Sequence, residues 1–153
     1  MTSATGAPPG CIFCAPLASL DREPLVVHAG ALAYVILNKY PYNNGHLMVV
    51  PHRHAGRLSN LDRDELLEVM SLCQLSERVL QQAYEPHGFN VGMNLGKPAG
   101  AGIEDHLHVH LVPRWNGDTN FVSVVGQTRV LPEELPATAA RLRAAFANLA
   151  SGA

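Results

Sequence analysis

From His106 to Leu111 the chain reads His-Leu-His-Val-His-Leu, one imidazole followed by one aliphatic side chain, three times over. A helix would scatter the two sets around its circumference, whereas a strand, with side chains pointing alternately to opposite faces, separates them completely. The segment therefore predicts a strand ending near Pro113, with His106, His108 and His110 on one face and Leu107, Val109 and Leu111 on the other. One histidine on such a face is an ordinary solvent-facing residue. Three interact: charge on one imidazole disfavours charge on its neighbours, so a neutral, nucleophilic nitrogen is easier to keep at neutral pH.

A strand with one apolar face needs neighbours, and the sequence supplies them. Three short β segments are expected at 25–28, 32–37 and 46–50, punctuated by Ala29-Gly30 and by the turn-rich run from Pro41 to Gly45, which makes an antiparallel meander. Ser59-Asn60-Leu61-Asp62 reads as a capping box for a long helix that buries Leu66, Val69, Met70, Cys73, Leu80 and Ala83 and stops at Pro86 and Gly88. A strand over 89–93 and the glycine-rich loop 96–102 lead into the histidine strand. A further strand is expected over 121–125. Leu135, Ala139, Leu142, Phe146 and Leu149 mark a C-terminal helix, with Pro132 near its first turn. The expectation is an α+β fold, an antiparallel sheet packed by a long helix, with residues 1–10 a disordered tail and 11–153 a single domain.

Composition narrows the function. With a net charge of -2 and 16% charged residues, no global basic field exists to hold nucleic acid or an anionic membrane, so any anion must be recognised locally. The apolar runs are too short to cross a bilayer and no secretory layout opens the chain, so a cytoplasmic protein is expected. Three cysteines, Cys11 and Cys14 in a Cys-x-x-Cys and Cys73 in a helical pattern, suit a reducing compartment, because an odd count leaves a thiol unpaired. Cys73 reads as a small core residue.

The histidine strand admits two chemistries. Alternating histidines can hold a catalytic zinc with water in an open position. Alternatively, one histidine attacks phosphorus and forms a covalent intermediate. The neighbouring loop favours the second, since its glycines, Gly100 and Gly102 among them, can aim backbone N–H groups at phosphate oxygens and Lys97 can add a charge. Cys11 and Cys14 have the spacing of a zinc knuckle but need two more ligands; a redox pair is the other reading. His28 and His87 read as unremarkable residues, and His52 as a surface residue of the basic cluster His52-Arg53-His54 or an attractor of phosphate. Arg114 and Trp115 divide evenly between a solvated cation beside a packed indole and a substrate or dimer contact.

The motif from His106 to Val112 resembles the histidine-triad (HIT) superfamily, whose signature is His, apolar, His, apolar, His, apolar, apolar. The likeness continues through the segments 37–51, 88–96 and 113–121, and looks closest to the bacterial branch of diadenosine tetraphosphate (Ap4A) phosphorylases and dinucleoside polyphosphate hydrolases. The resemblance implies a HIT-like fold and a purine nucleotide or dinucleoside polyphosphate as substrate. His108 would be the nucleophile, His110 would contact the phosphate and the leaving side, and His106 would support the site together with His46. Asn38 would contact the sugar and Asn94 the phosphate region. A structural zinc would be held by Cys11, Cys14, His54 and His106, bracing the strand that carries the nucleophile. No catalytic metal would be required, though magnesium can accompany a polyphosphate. A homodimer is also implied. Many relatives carry Gly-Gln-Ser/Thr before the first histidine, where this chain has Gly100-Ala101-Gly102-Ile103-Glu104-Asp105. The missing hydroxyl argues against a phosphoramidase and fits the phosphorylase-like branch. A nucleotide-binding or signalling module with little turnover is the rival from another class.

Overall fold

A computed structural model describes residues 7–102, 105–119 and 133–152. Most of the expected tail, the strand expected over 121–125, Pro132 and the Ile103-Glu104 lead-in lie outside the described residues. The elements are β1 (Val26–Ala29), β2 (Ala33–Leu37), β3 (Leu47–Pro51), α1 (Arg63–Tyr84), β4 (Gly88–Gly92), β5 (Val109–Arg114) and α2 (Leu135–Ser151). All five strands join one antiparallel sheet in the order β1-β2-β3-β5-β4. The fold is α+β, as its sequence predicts.

Alternation along the strands divides the sheet into two chemically distinct faces. Val35, Leu37, Val49, Val109 and Leu111 point to one side and form a single core with Val69, Leu72, Cys73 and Leu80 of α1 and with Leu142 and Phe146 of α2. Both helices thus cover this face, and Cys73 is the buried core residue it was expected to be. Arg143 ties α2 to the sheet edge by donating to the carbonyls of Glu23, Pro24 and Val26. The opposite face is covered at its β1–β3 end by the N-terminal segment, where Phe13 is buried against Val26, Tyr34, Met48 and Val50. Beyond that cover the face carries the histidines.

Helix α1 starts one turn later than its sequence suggested. Ser59 and Asn60 belong to a short 3-10 turn, Leu58–Asn60, and the capping box is Asp62 with Glu65. Asp62 accepts from the Glu65 N–H, and Glu65 accepts from the Asp62 N–H. Any Ser, Asn or Asp three residues before a polar residue can serve as a cap; here Arg53 decides, because its guanidinium grips the same Glu65 carboxylate at 2.6 and 2.8 Å and fixes it over the Asp62 turn. Met70, expected in the core, is 52% exposed and Leu67 65%. The apolar stripe of α1 is narrower than the sequence reading had it.

Candidate active site

Strand β5 begins at Val109, so of the three histidines only His110 lies within the ladder. The expected strand is shortened because the Leu107 N–H turns to the carbonyl of Ala55 at 2.7 Å, and the Leu107 side chain packs with Ala55 and Leu61. Side-chain alternation nevertheless persists through the bend. His108 and His110 face each other with ring centroids 4.8 Å apart. His106 instead turns its Nδ1 toward Cys11 and Cys14, 3.4 Å from each Sγ.

The tautomer of each imidazole follows from partners that can play only one role. A backbone carbonyl only accepts, so the Nδ1 of His108, 2.9 Å from the His106 carbonyl, carries the proton, and Nε2 keeps its lone pair. A backbone N–H only donates, so the Tyr42 N–H, 3.2 Å from His46 Nδ1, makes that nitrogen an acceptor. The proton of neutral His46 then sits on Nε2 and is donated to His110 Nδ1 across 2.8 Å. That leaves His110 with its own proton on Nε2. A lone pair on His108 and a donor on His110 therefore stand side by side. Asn38 Nδ2 lies 3.4 Å from His46 Nε2, a contact between two donors and not a hydrogen bond, and its Oδ1 accepts from the Tyr40 N–H at 2.8 Å.

Burial keeps these rings neutral. It is the main cause that lowers His46 to about 3 and His110 to about 4, with the neighbouring imidazoles adding to it. His108 is also held below the ordinary value of 6.5, again by burial, partly offset by its bond to the His106 carbonyl. Gly45 sits immediately before His46 with φ +75°, and a Cβ there would lie 2.9 Å from Leu80. Glycine at this turn thus lets the chain enter β3 with His46 fully buried.

The loop 96–102 spends several of its N–H groups on itself: those of Ala99 and Ala101 donate to the Gly96 carbonyl and that of Gly100 to the Lys97 carbonyl. Asn94 Nδ2 donates to the Gly100 carbonyl at 3.2 Å, pinning the loop to the end of β4. Gly96 and Gly100 have positive φ. Among the described residues no hydrogen bond engages the N–H of Gly102.

The second constellation is Cys11, Cys14, His54 and His106, whose ligand atoms all lie within 4.8 Å of one another. These four residues could hold a metal. Tetrahedral coordination with Zn–S near 2.3 Å and Zn–N near 2.1 Å sets ligand atoms about 3.4–3.8 Å apart; here His54 Nδ1 lies 3.3 Å from Cys14 Sγ and His106 Nδ1 3.4 Å from both sulfurs. The second shell fits too. His106 Nε2 is 2.8 Å from the Pro51 carbonyl, so its proton is there and the Nδ1 lone pair faces the thiols. Burial raises the Cys14 thiol to about 11, helped by its hydrogen bond with Cys11, so the protein alone does not ionise it.

Three partners of this site were not singled out by the sequence. Phe13, inside the Cys-x-x-Cys, lies 4.8 Å from the ring of His108 and 5.7 Å from that of His106, and its carbonyl accepts from Tyr34 at 2.6 Å. Tyr42 covers His46 at 4.8 Å. Asp118 receives Arg114 on both oxygens, at 2.6 and 2.9 Å. A Phe between two cysteines and an Arg four residues before an Asp are visible motifs, but nothing local marks them as neighbours of His108 or His110. The remaining histidines are ordinary: His28 stacks on Phe146 at 5.1 Å, His87 accepts from the Asn116 N–H at 2.8 Å, and His52 sits 5.9 Å from the Tyr34 ring.

Comparison with known proteins gives a consistent result. The HIT domain family matches residues 22–117. An AP-4-A phosphorylase of Mycobacterium tuberculosis is 51% identical over 115 residues, which is 75% of this chain and 59% of that protein. The chain thus spans about three-fifths of the length of this curated relative. A zinc-bound histidine triad family protein from Mycobacterium smegmatis superposes with a TM-score of 0.75 at 29% identity, covering 94% of this chain and 98% of that one. A histidine triad nucleotide-binding protein from Sulfolobus tokodaii gives a TM-score of 0.73 at 29% identity, over 91% and 93% of the two chains.

Proposed function

This chain belongs to the HIT domain family, and on that premise we propose that it is a nucleotidyl-transferring enzyme that cleaves a phosphoanhydride of a dinucleoside polyphosphate such as Ap4A. The observation that carries the reading is the fixed tautomer of His108, whose Nδ1–H is held by the His106 carbonyl so that Nε2 is a lone pair beside the donor His110. The phosphorylase name of the half-identical relative from Mycobacterium tuberculosis supports the substrate class.

In the first step, His108 Nε2 attacks the α-phosphorus in line, a P–N bond forms and the P–O bond to the leaving phosphate breaks. The His110 Nε2–H donates a hydrogen bond to the departing oxygen and stabilises the charge that develops there; the nucleoside polyphosphate leaves as an anion. In the second step an oxygen of phosphate or water attacks the same phosphorus, the P–N bond breaks and its electron pair returns to His108 Nε2, while any proton on the attacking oxygen is released to solvent. Phosphate as acceptor yields ADP plus ATP from Ap4A, and water yields AMP plus ATP. His46 acts through His110 and is a positioning residue. Asn94 and the N–H of Gly102 would meet the phosphate oxygens, and Asn38 the sugar; Gly100, whose N–H is already given to the Lys97 carbonyl, would shape the loop and not bind phosphate.

Cys11, Cys14, His54 and His106 are proposed to hold zinc, the metal that best suits two thiolates and two imidazoles in a tetrahedron. All four ligand positions come from protein, so the metal supplies rigidity rather than an open coordination site. A homodimer is part of the same proposal. It is supported by β4, an edge strand of the sheet whose Val91 is 53% exposed. The whole reading is tested by incubating the protein with Ap4A, with and without phosphate, and identifying the products. ADP plus ATP, appearing only with phosphate, is expected. Binding without any product would favour the signalling module instead.

A further inference from the structure

We propose that the open cavity running along β5 from His110 to Arg114 receives the nucleoside of the leaving nucleotide, so that the site grips both ends of a dinucleoside polyphosphate. The inference rests on the nucleotidyl-transfer reading above and adds to it a binding site for the half of the substrate that is not transferred.

Direction comes first. In-line attack expels the leaving oxygen opposite His108 Nε2, and the donor poised for that oxygen is His110. The leaving chain therefore exits past His110. A cavity of about 400 Å³ opens there, lined by His110, Asn94, Tyr42, Asn43, Asn90 and Arg114 among others. His110, Val112 and Arg114 share one face of β5, and four residues of strand extend about 13 Å. Asn94 stands at the His110 end with the glycine loop, where phosphates are expected, and Arg114 stands at the far end.

The chemistry of the far end suits a nucleoside rather than more phosphate. Arg114 is the cation there, and it is already neutralised: Asp118 takes its Nε and Nη2, and Asn90 Oδ1 takes its Nη1 at 2.8 Å. The same guanidinium holds the Asp118 carboxyl well below the usual carboxylate range, so the pair stays ionised and contributes no net charge. What the wall offers instead is two amides of fixed orientation. Asn43 Nδ2 donates to the Pro113 carbonyl and to Asp118, at 3.0 and 2.9 Å, which leaves its Oδ1 as an acceptor. Asn90 Oδ1 is held by Arg114, which leaves its Nδ2 as a donor with no partner among the described residues. One donor and one acceptor, locked by an ion pair behind them, can read the edge of a base or the hydroxyls of a ribose. The ring of Tyr42 lies nearly parallel to the His110 imidazole, at 22° and 6.5 Å, and offers a flat face to a heterocycle.

The test compares Ap4A with adenosine 5′-tetraphosphate, which has the same adenylyl end and the same phosphate chain but lacks the second nucleoside. The wild-type protein is expected to prefer Ap4A by about tenfold or more in kcat/KM, and N90L to bring that ratio towards one through a rise in KM for Ap4A. The smaller N90S, which removes the amide without filling the space, should shift the ratio in the same direction. Equal kcat/KM values for the two substrates with the wild-type protein, or a ratio untouched by both substitutions, would overturn the proposal. Failure of the wild-type protein to turn over either substrate is a different result, and it would sink the nucleotidyl-transfer reading on which the subsite depends.

Discussion

At the residue scale, the site is a set of proton positions imposed by the backbone. The Tyr42 N–H and the His106 carbonyl each dictate which nitrogen of a neighbouring imidazole is bare, and the bond from His46 to His110 passes that choice along. Replacing His108 by alanine should abolish turnover while leaving nucleotide affinity and the melting temperature nearly unchanged, as steady-state kinetics, a binding titration and a thermal melt will check. His46→Gln is expected to lower kcat by about 10²-fold with a smaller change in KM, because the His110 proton is no longer held on Nε2. An unchanged kcat would remove His46 from the relay. The three histidines were legible as a group from alternation, while their expected division of labour came from the resemblance to the HIT superfamily. Alternation assigns a face; it says nothing about which nitrogen meets a carbonyl, and it could not show that His106 looks toward the cysteines.

At the element scale, the N-terminal segment and β5 support each other. Cys11 and Cys14 bracket Phe13, which lies against both His106 and His108, while His54 is held close by Arg53 anchored on Glu65 of α1. Metal at the four-ligand site would therefore fix the segment that precedes the nucleophile. Because burial holds the Cys14 thiol protonated without metal, adding zinc to the metal-free protein in weak buffer at neutral pH should release protons as the ion binds; release of none would contradict coordination by that sulfur. Chelation should lower the melting temperature. Strands β1 to β4 were readable from alternation and turn residues, each shifted by about one residue, and the long helix from its periodicity, whereas β5 begins only at Val109 and not at His106. The start of α1 was not, because the choice among Ser59, Asn60 and Asp62 as cap is made by Arg53, a residue outside the helix. Met70 misled for a related reason, since a helical period alone does not fix the width of the buried stripe.

At the scale of the whole molecule, one sheet separates an apolar core from a polar, histidine-bearing face, and pH couples the two. His46 and His110 are held at about 3 and about 4 in the fold, against 6.5 for the free side chain. Below about 6.5 the unfolded chain takes up protons that the native state refuses, so their contribution to stability is complete at higher pH and is lost as pH falls toward 4. Thermal melts of metal-loaded protein between pH 7 and pH 5 should show this decline, with a shallower slope for His46→Gln; parallel slopes would contradict it. Sedimentation should give twice the 16.5 kDa of one chain, and a monomer would remove the homodimer. No described helix is long and apolar enough to cross a membrane. The α+β architecture was legible because each element carries its own period. The cavity beyond His110 was not, because it is assembled from β4, β5 and the turn before His46, segments that only the sheet brings together. The most direct test of the central claim is to quench the protein with Ap4A during turnover, in the absence of phosphate, and map the adduct by mass spectrometry. A single nucleotidyl group on His108, absent from His108→Ala, is predicted; turnover with no adduct, or with the adduct on another residue, would contradict the mechanism.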